Sequence, residues 1–195
     1  MRKTPEIILA SKSAARRSML TNVGMDYRSI QADIDESGVI ESNIEVLTEK
    51  LAIMKALHIS NKYPDALVIG SDQTLEFDAE LFCKAKDRGE ARQKLKQLRG
   101  NTHILRSSIC IARGDEIIFT HTSKASLTMH DFDDEFLENY MDSDPDALTS
   151  CVGGYKIEGA GAWLFSEITG DVFTIMGMPL LPLLAFLRET YGTKI

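Results

Sequence analysis

The chain has no apolar run approaching the roughly 18 residues of a membrane-spanning helix, and IILA near its start is too brief for a signal-peptide core. Its three cysteines, Cys83, Cys110 and Cys151, are widely spaced and odd in number, so neither a disulfide framework nor a CxxC metal pair is suggested. A buried, inert thiol is the default reading of Cys83, which has no evident base. No GxxxxGK segment followed by Ser or Thr occurs, which excludes the P-loop mechanism, and Gly159-Ala160-Gly161 is too short to signal a dinucleotide fold. The four histidines show no metal-ligand spacing. Positive charge is also in deficit: a formal net charge of −7 argues against broad binding of a nucleic-acid polymer, which needs many Lys and Arg on phosphates. These absences lead to the expectation of a cytoplasmic protein with neither a membrane nor a nucleic-acid polymer as partner, whose positive sites are local.

What is present is ordinary globular material. At 195 residues, with 44% hydrophobic and 26% charged residues, the chain can bury one sizeable core, and a single domain over 1–195 is expected. EIILA (6–10) reads as a buried strand running into a helix over SKSAARRSML, with Ser11 or Ser13 near its N-cap. A helix over 42–58 is signalled by a capping box of Ser42 and Glu45 and by Leu47, Leu51, Met54 and His58 at helical spacing. DALVIG (65–70) reads as a central strand, and DRGEARQKLKQL (87–98) as a helix with Ala91, Leu95 and Leu98 on one face. Two extended runs joined at Gly114-Asp115 read as a long hairpin, and DFDDEFLENYM (131–141) as a helix capped by Asp131 or Asp133. Glycine-rich loops, a short strand around WLFSEI and a last helix after Met178-Pro179 complete a mixed α/β pattern.

Four charged features sit against this pattern. Arg16 and Arg17 fall in the opening turn of a helix, where cations are disfavoured unless an anion joins them. With Ser11, Ser13 and exposed backbone N–H groups they can form an anion cradle, although two solvated arginines fit the pattern equally well. Lys55 borders the face its helix should bury, and snorkelling toward water accounts for that position. Asp33, Asp35 and Glu36 cluster in a loop before Ser37-Gly38; such a loop is solvated by default, yet paired carboxylates can hold Mg²⁺ or Mn²⁺ together with substrate phosphate. Asp72 falls just after the apolar run, with Lys84 following, and ligand sites in open α/β sheets lie beyond the carboxyl ends of strands. A turn-forming aspartate is the competing explanation. Gln73 and Thr74 fit either a turn or a supporting role.

ILASKSAARRSML, DIDES, LAIMKA, VIGSDQTL, LFCKAKD, GGYKIEGAG and GDVFTIMGMPL occur together in this order, over essentially the whole chain. In that combination the sequence resembles the Maf family of nucleoside triphosphate pyrophosphatases, once described as septum-formation proteins. The resemblance implies an α/β fold related to the inosine triphosphate pyrophosphatases, a mixed twisted sheet with flanking helices, two lobes around a cleft, and a homodimer. It implies that Ser11, Arg16 and Arg17 bind phosphate, that Glu36, Lys55 and Lys84 belong to the catalytic set, and that Asp72 is the proton acceptor. Glu36 and Asp72 would hold the Mg²⁺ or Mn²⁺ cofactor. Two departures stand out: Ala14-Ala15 replace the usual proline segment before the basic pair, and Ala85 stands where a proline usually follows Lys84. Both bear on loop rigidity rather than on charge.

The reaction implied is hydrolysis of a nucleoside triphosphate between its α- and β-phosphates, giving the monophosphate and pyrophosphate. Glu158, in KIEGAG, stands where the family divides between glutamine and glutamate, and glutamate resembles the branch acting on 7-methyl-GTP. A carboxylate accepts hydrogens from a guanine edge and favours a positively charged base. Tyr155 or Trp163 would be available to stack on that base, core packing being the default for Trp163. A nucleotide-sensing binding protein acting in cell division, without turnover, is the competing reading, because fold alone does not fix function.

Overall fold

The computed structural model describes residues 5–36 and 38–192, so Ser37 of the acidic loop lies outside the described residues. Two compact units divide the chain. One comprises the residues up to Gln73, Ser107–Ser123 and those from Gly177 onward; the other comprises Thr74–Arg106 and Lys124–Met176.

The strands are β1 (Ile7–Leu9), β2 (Arg28–Ser29), β3 (Leu67–Phe77), β4 (Glu80–Phe82), β5 (Thr102–Arg113), β6 (Glu116–Met129) and β7 (Phe165–Thr169). They form one mixed seven-stranded sheet in the order β2-β1-β3-β5-β6-β7, with β4 paired to β3. β1 pairs parallel with β2 and β3, whereas β3–β4 and β6–β7 are antiparallel. The helices are α1 (Ala14–Asn22), α2 (Ile44–Ser60), α3 (Arg88–Leu98), α4 (Asp134–Ser143), the short α5 (Ala147–Ser150) and α6 (Val172–Ile175), and α7 (Leu180–Tyr191), with a 3₁₀ turn at Ala160–Leu164. The mixed α/β class expected from the sequence is the class observed.

In the first unit, β1 and β3 are buried because both faces are covered: Ile8, Val68 and Ile59 pack together, and Ala52 and Ala56 of α2 pack with Cys110 and Ala112 of β5. The close fit of α2 on β3 depends on Gly70. A Cβ there would overlap the carbonyl oxygen of Ala52 and the amide nitrogen of Ala56, so the helix backbone rests directly on the strand. Asn43 caps α2, its side chain accepting from the N–H groups of Glu45 and Val46 at 2.9 and 3.2 Å. The expected capping box at Ser42 is thus displaced by one residue. Leu47 and Leu51 are buried as the spacing predicts, and the stripe continues through Ala52, Ala56 and Ile59, while Met54 and His58 are only partly covered.

The second unit is built around Leu75, Leu95, Leu105, Leu127, Leu137, Met141 and Leu164. Asp87 caps α3, and Asp133, one of the two expected candidates, caps α4, each accepting from the N–H three residues on. The exposed faces of the two helices are tied by ion pairs of Arg88 and Arg92 with Glu138, and of Lys96 and Arg99 with Asp134. Trp163 does not enter this core: it is 76% exposed, which corrects the packing role expected for it. Tyr155, by contrast, is buried, its hydroxyl 2.6 Å from His103 Nε2, and it packs edge-on against Phe165. Cys83 is exposed, not buried, because it lies in the irregular segment after β4; Cys110 is the buried thiol, pushed up to about 12 by its apolar surroundings. Among the described residues no helix is long and apolar enough to cross a membrane.

Candidate active site

Asp72 is not at the end of a strand. It is the sixth residue of β3, which continues to Phe77, and it is buried at 7% exposure. The parallel partner β1 stops earlier, however: its register with β3 ends at Leu9 opposite Ile69, closed by Ala10 N–H donating to Ile69 at 2.8 Å. Asp72 therefore lies past the carboxyl end of the parallel pair, so the expected location holds for the pair though not for the strand.

Side chains alternate along a strand, so Asp72 shares the face of Gly70, and that face carries α2. Ala52 and Ala56 rest on Gly70, which places the neighbouring Lys55 over Asp72. Lys55 Nζ donates to Asp72 Oδ1 at 2.5 Å and pairs with Glu36 Oε1 at 2.9 Å. Glu36 reaches in from the acidic loop with about half of its side chain exposed, whereas the Lys55 and Asp72 side chains are 14% and 10% exposed. Snorkelling does not describe Lys55: its ammonium is turned inward between two carboxylates.

Arg16 supplies the second fixed cation. Ser13 caps α1 and accepts from Arg16 N–H at 3.4 Å, which sets the first turn. From there the guanidinium donates to the carbonyl of Gly177 through Nε and to the carbonyl of Ser71 through Nη1, both at 2.8 Å, and to Ser11 Oγ at 3.4 Å. Ser71 Oγ donates to the same Gly177 carbonyl at 3.0 Å. Gly177 has φ +100, a backbone conformation that favours glycine, and it lies beside the Gln73 and Arg16 side chains. Ser71 and Gly177 escaped the sequence reading because they act through backbone carbonyls; positive φ leaves no mark beyond the glycine itself.

Burial sets the electrostatics. Desolvation raises the Asp72 carboxyl above its ordinary value, outweighing the opposing pull of Lys55 and Arg16, and Glu36 adds to the rise. Burial likewise pulls the Arg16 guanidinium down while Asp72 and Glu36 act in the other direction. Starting from so high a value, it remains a cation.

The other expected site residues are placed differently. Arg17 is exposed on α1, where its N–H donates to the Ser13 carbonyl at 3.1 Å and its carbonyl accepts from the Tyr27 hydroxyl at 2.8 Å. Ser11 is buried, its hydroxyl accepting from Ser13 N–H at 3.2 Å as well as from Arg16. Lys84 and Glu158 belong to the second unit, where both are exposed and both act electrostatically on the Cys151 thiol, Lys84 lowering and Glu158 raising its pKa. In that unit Lys156 is clamped by Asp144 and Asp146 at 3.0 Å each, and a Cβ on Gly161 would overlap the Lys156 backbone, so the segment carrying Glu158 is folded tightly on itself.

The family described as Maf-like protein matches residues 6–190. The chain belongs to the Maf-like family. Among curated Maf-like relatives, a nucleoside triphosphate pyrophosphatase of Rhodopseudomonas palustris (strain HaA2) is 44% identical over 187 residues, covering 94% of this chain and 93% of its own. A 7-methyl-GTP pyrophosphatase of Brucella abortus biovar 1 (strain 9-941) is also 44% identical, over 192 residues, 95% of this chain and 96% of its own. A HAM1 protein from Coxiella burnetii matches in structure with a TM-score of 0.47 at 15% identity, over 66% of this chain and 75% of that one.

The donor set of this Maf-like chain is suited to a hard divalent cation. Glu36 and Asp72 present carboxylate oxygens that already converge on one positive charge, the Lys55 ammonium. Among the described residues no three His, Cys, Asp or Glu side chains converge to cage an ion. Two carboxylates with substrate phosphate and water is the manner in which Mg²⁺ is commonly held, so the residues fit such an ion.

Proposed function

We propose that the protein hydrolyses nucleoside triphosphates at the bond between the α- and β-phosphates, releasing a nucleoside monophosphate and pyrophosphate. The observation that carries this reading is the buried Asp72 carboxylate, raised in pKa yet flanked by the Lys55 ammonium and the fixed Arg16 guanidinium. A pure anion-binding site gains nothing from a buried carboxylate at its centre, whereas water attack on a polyphosphate needs both a proton acceptor and cations around it. The names of the relatives support the same reaction.

Asp72 orients the attacking water and takes its proton as oxygen bonds to phosphorus and pyrophosphate departs. Its raised pKa makes it a better base than a solvated aspartate, at the expense of needing a higher pH to be ionised. Lys55 and Arg16 balance the charge of the phosphates, Ser11 fixes the Arg16 side chain, and the exposed Arg17 adds a contact at the rim. Glu36 and Asp72 would hold Mg²⁺ or Mn²⁺; when bound, such a cation neutralises phosphate charge and polarises the phosphorus under attack. Lys84 is assigned to phosphate and Glu158 to the base through the family resemblance. On the same grounds Glu158 points to a guanine-type substrate such as 7-methyl-GTP, and the protein is taken to act in the cytoplasm as a homodimer, a state that light scattering checks.

Pyrophosphate release from 7-methyl-GTP, GTP, dTTP, UTP and modified pyrimidine triphosphates, each with Mg²⁺ and with Mn²⁺, tests the proposal. Turnover of at least one member is expected. Binding without hydrolysis of any member would overturn it in favour of a nucleotide sensor.

A further inference from the structure

Lys55 Nζ occupies one oxygen of each carboxylate assigned above to the divalent cation: Asp72 Oδ1 at 2.5 Å and Glu36 Oε1 at 2.9 Å. An ammonium and a divalent cation drawn to the same two carboxylates repel one another at that range, and partial burial keeps the repulsion from being screened away. The charge count sharpens the conflict. Asp72 and Glu36 carry two negative charges, and Lys55 and Arg16 two positive ones, so the group is formally neutral as it stands. A bare divalent cation would leave this half-buried group with an excess of two positive charges. A cation accompanied by a triphosphate brings compensating negative charge, together with oxygens that can accept the Lys55 ammonium.

We propose that Lys55 is an ion-exchange latch: in the resting protein it occupies Asp72 and Glu36 and keeps bare divalent cations out, and it passes to phosphate oxygens when cation and nucleotide enter together. The inference rests on the metal-assisted reading under Proposed function. It gives Lys55 a task beyond charge compensation, namely restricting metal uptake to metal accompanied by a polyphosphate, and it accounts for an ammonium turned inward between two carboxylates.

The test reads Mn²⁺ binding by electron paramagnetic resonance of the free ion, without nucleotide, on the full chain and its Lys55→Met and Lys55→Arg variants. Thermal midpoints confirm folding. Lys55→Met is expected to bind Mn²⁺ at least about tenfold more tightly than the wild type, equivalent to about 1.4 kcal/mol, while Lys55→Arg, which keeps the charge, stays as weak as the wild type. If Lys55→Met does not fold, Lys55→Gln is expected to tighten binding in the same direction. Equal or weaker Mn²⁺ binding by the neutral variant overturns the latch and leaves the metal reading standing. A parallel measurement with pyrophosphate separates the two: retention of Mn²⁺ by none of the proteins, even with pyrophosphate, overturns the metal reading and the latch with it.

Discussion

Lys55 Nζ lies 2.5 Å from Asp72 Oδ1 across the interface of α2 and β3, and the pair exists because Gly70, two residues before Asp72 on the same strand face, lets the backbone of α2 rest on the strand. A strand face, a missing Cβ and one turn of helix thereby set the position of a buried acid and its cation.

Gly70→Ala is the packing test of that arrangement. A Cβ would overlap backbone atoms of Ala52 and Ala56, which cannot rotate away. Overpacking of this kind costs about 1–3 kcal/mol, and the displaced helix would carry Lys55 off Asp72. Chemical denaturation should show the loss of stability, and turnover should fall beyond what the unfolded fraction explains.

Asp72→Asn separates catalysis from stability. Loss of a general base typically lowers kcat by about 10²–10⁴-fold. Because desolvation raises the Asp72 pKa, its ionised form is less favourable in the folded protein than in the unfolded chain, and a neutral isostere removes that cost. Kinetics should show the drop while the thermal midpoint at neutral pH is held or raised. Intact metal-dependent turnover would remove Asp72 from its role.

The pH profile follows from the same shift. Activity requires ionised Asp72, so kcat/KM should fall as pH is lowered through its raised pKa. The acid limb is then expected above the ordinary aspartate value of about 3.9. An acid limb at or below that value would contradict the burial argument.

His103 makes a separate prediction about stability. Burial holds its imidazole down to about 4 from an ordinary 6.5, and Nδ1 has no hydrogen-bond partner among the described residues. Between these values the unfolded chain binds a proton that the folded protein refuses, so stability is lost as pH falls from about 6.5 toward 4. The loss at the low end is on the order of 3 kcal/mol. Denaturation at a series of pH values should show this slope, and His103→Gln should flatten it.

Much of the fold is legible in the sequence because local signals and tertiary packing agree: Ala91, Leu95 and Leu98 are buried on one face of α3, Asp133 caps α4, and the Gly114 turn joins β5 to β6 at the expected residues. The differences lie where polar or small residues do the packing. The apolar run ends the expected strand at Gly70, and a turn is one of the readings open for Asp72, Gln73 and Thr74, yet β3 continues through them to Phe77, with Asp72 partnered by Lys55 of α2. Leu47 and Leu51 mark the buried face of α2 correctly, but Ala52 and Ala56, which meet Gly70, carry little hydrophobic signal, so the pattern does not show that contact. β4 carries no such signal, because its turn runs through Asp78 and Ala79 at φ +53 and +62, with no glycine to announce it. As for the site, residue pattern alone left Glu36, Lys55 and Asp72 as separate oddities, and the family resemblance joined them. Only the folded chain shows Lys55 held by both carboxylates at once.

Phosphorus NMR of the products formed from a nucleoside triphosphate with Mg²⁺ tests the central claim most directly. Nucleoside monophosphate and pyrophosphate should appear in equal amounts with the wild-type protein and be all but lost with Asp72→Asn. Formation of diphosphate and orthophosphate, or a product yield unaffected by Asp72→Asn, would contradict it.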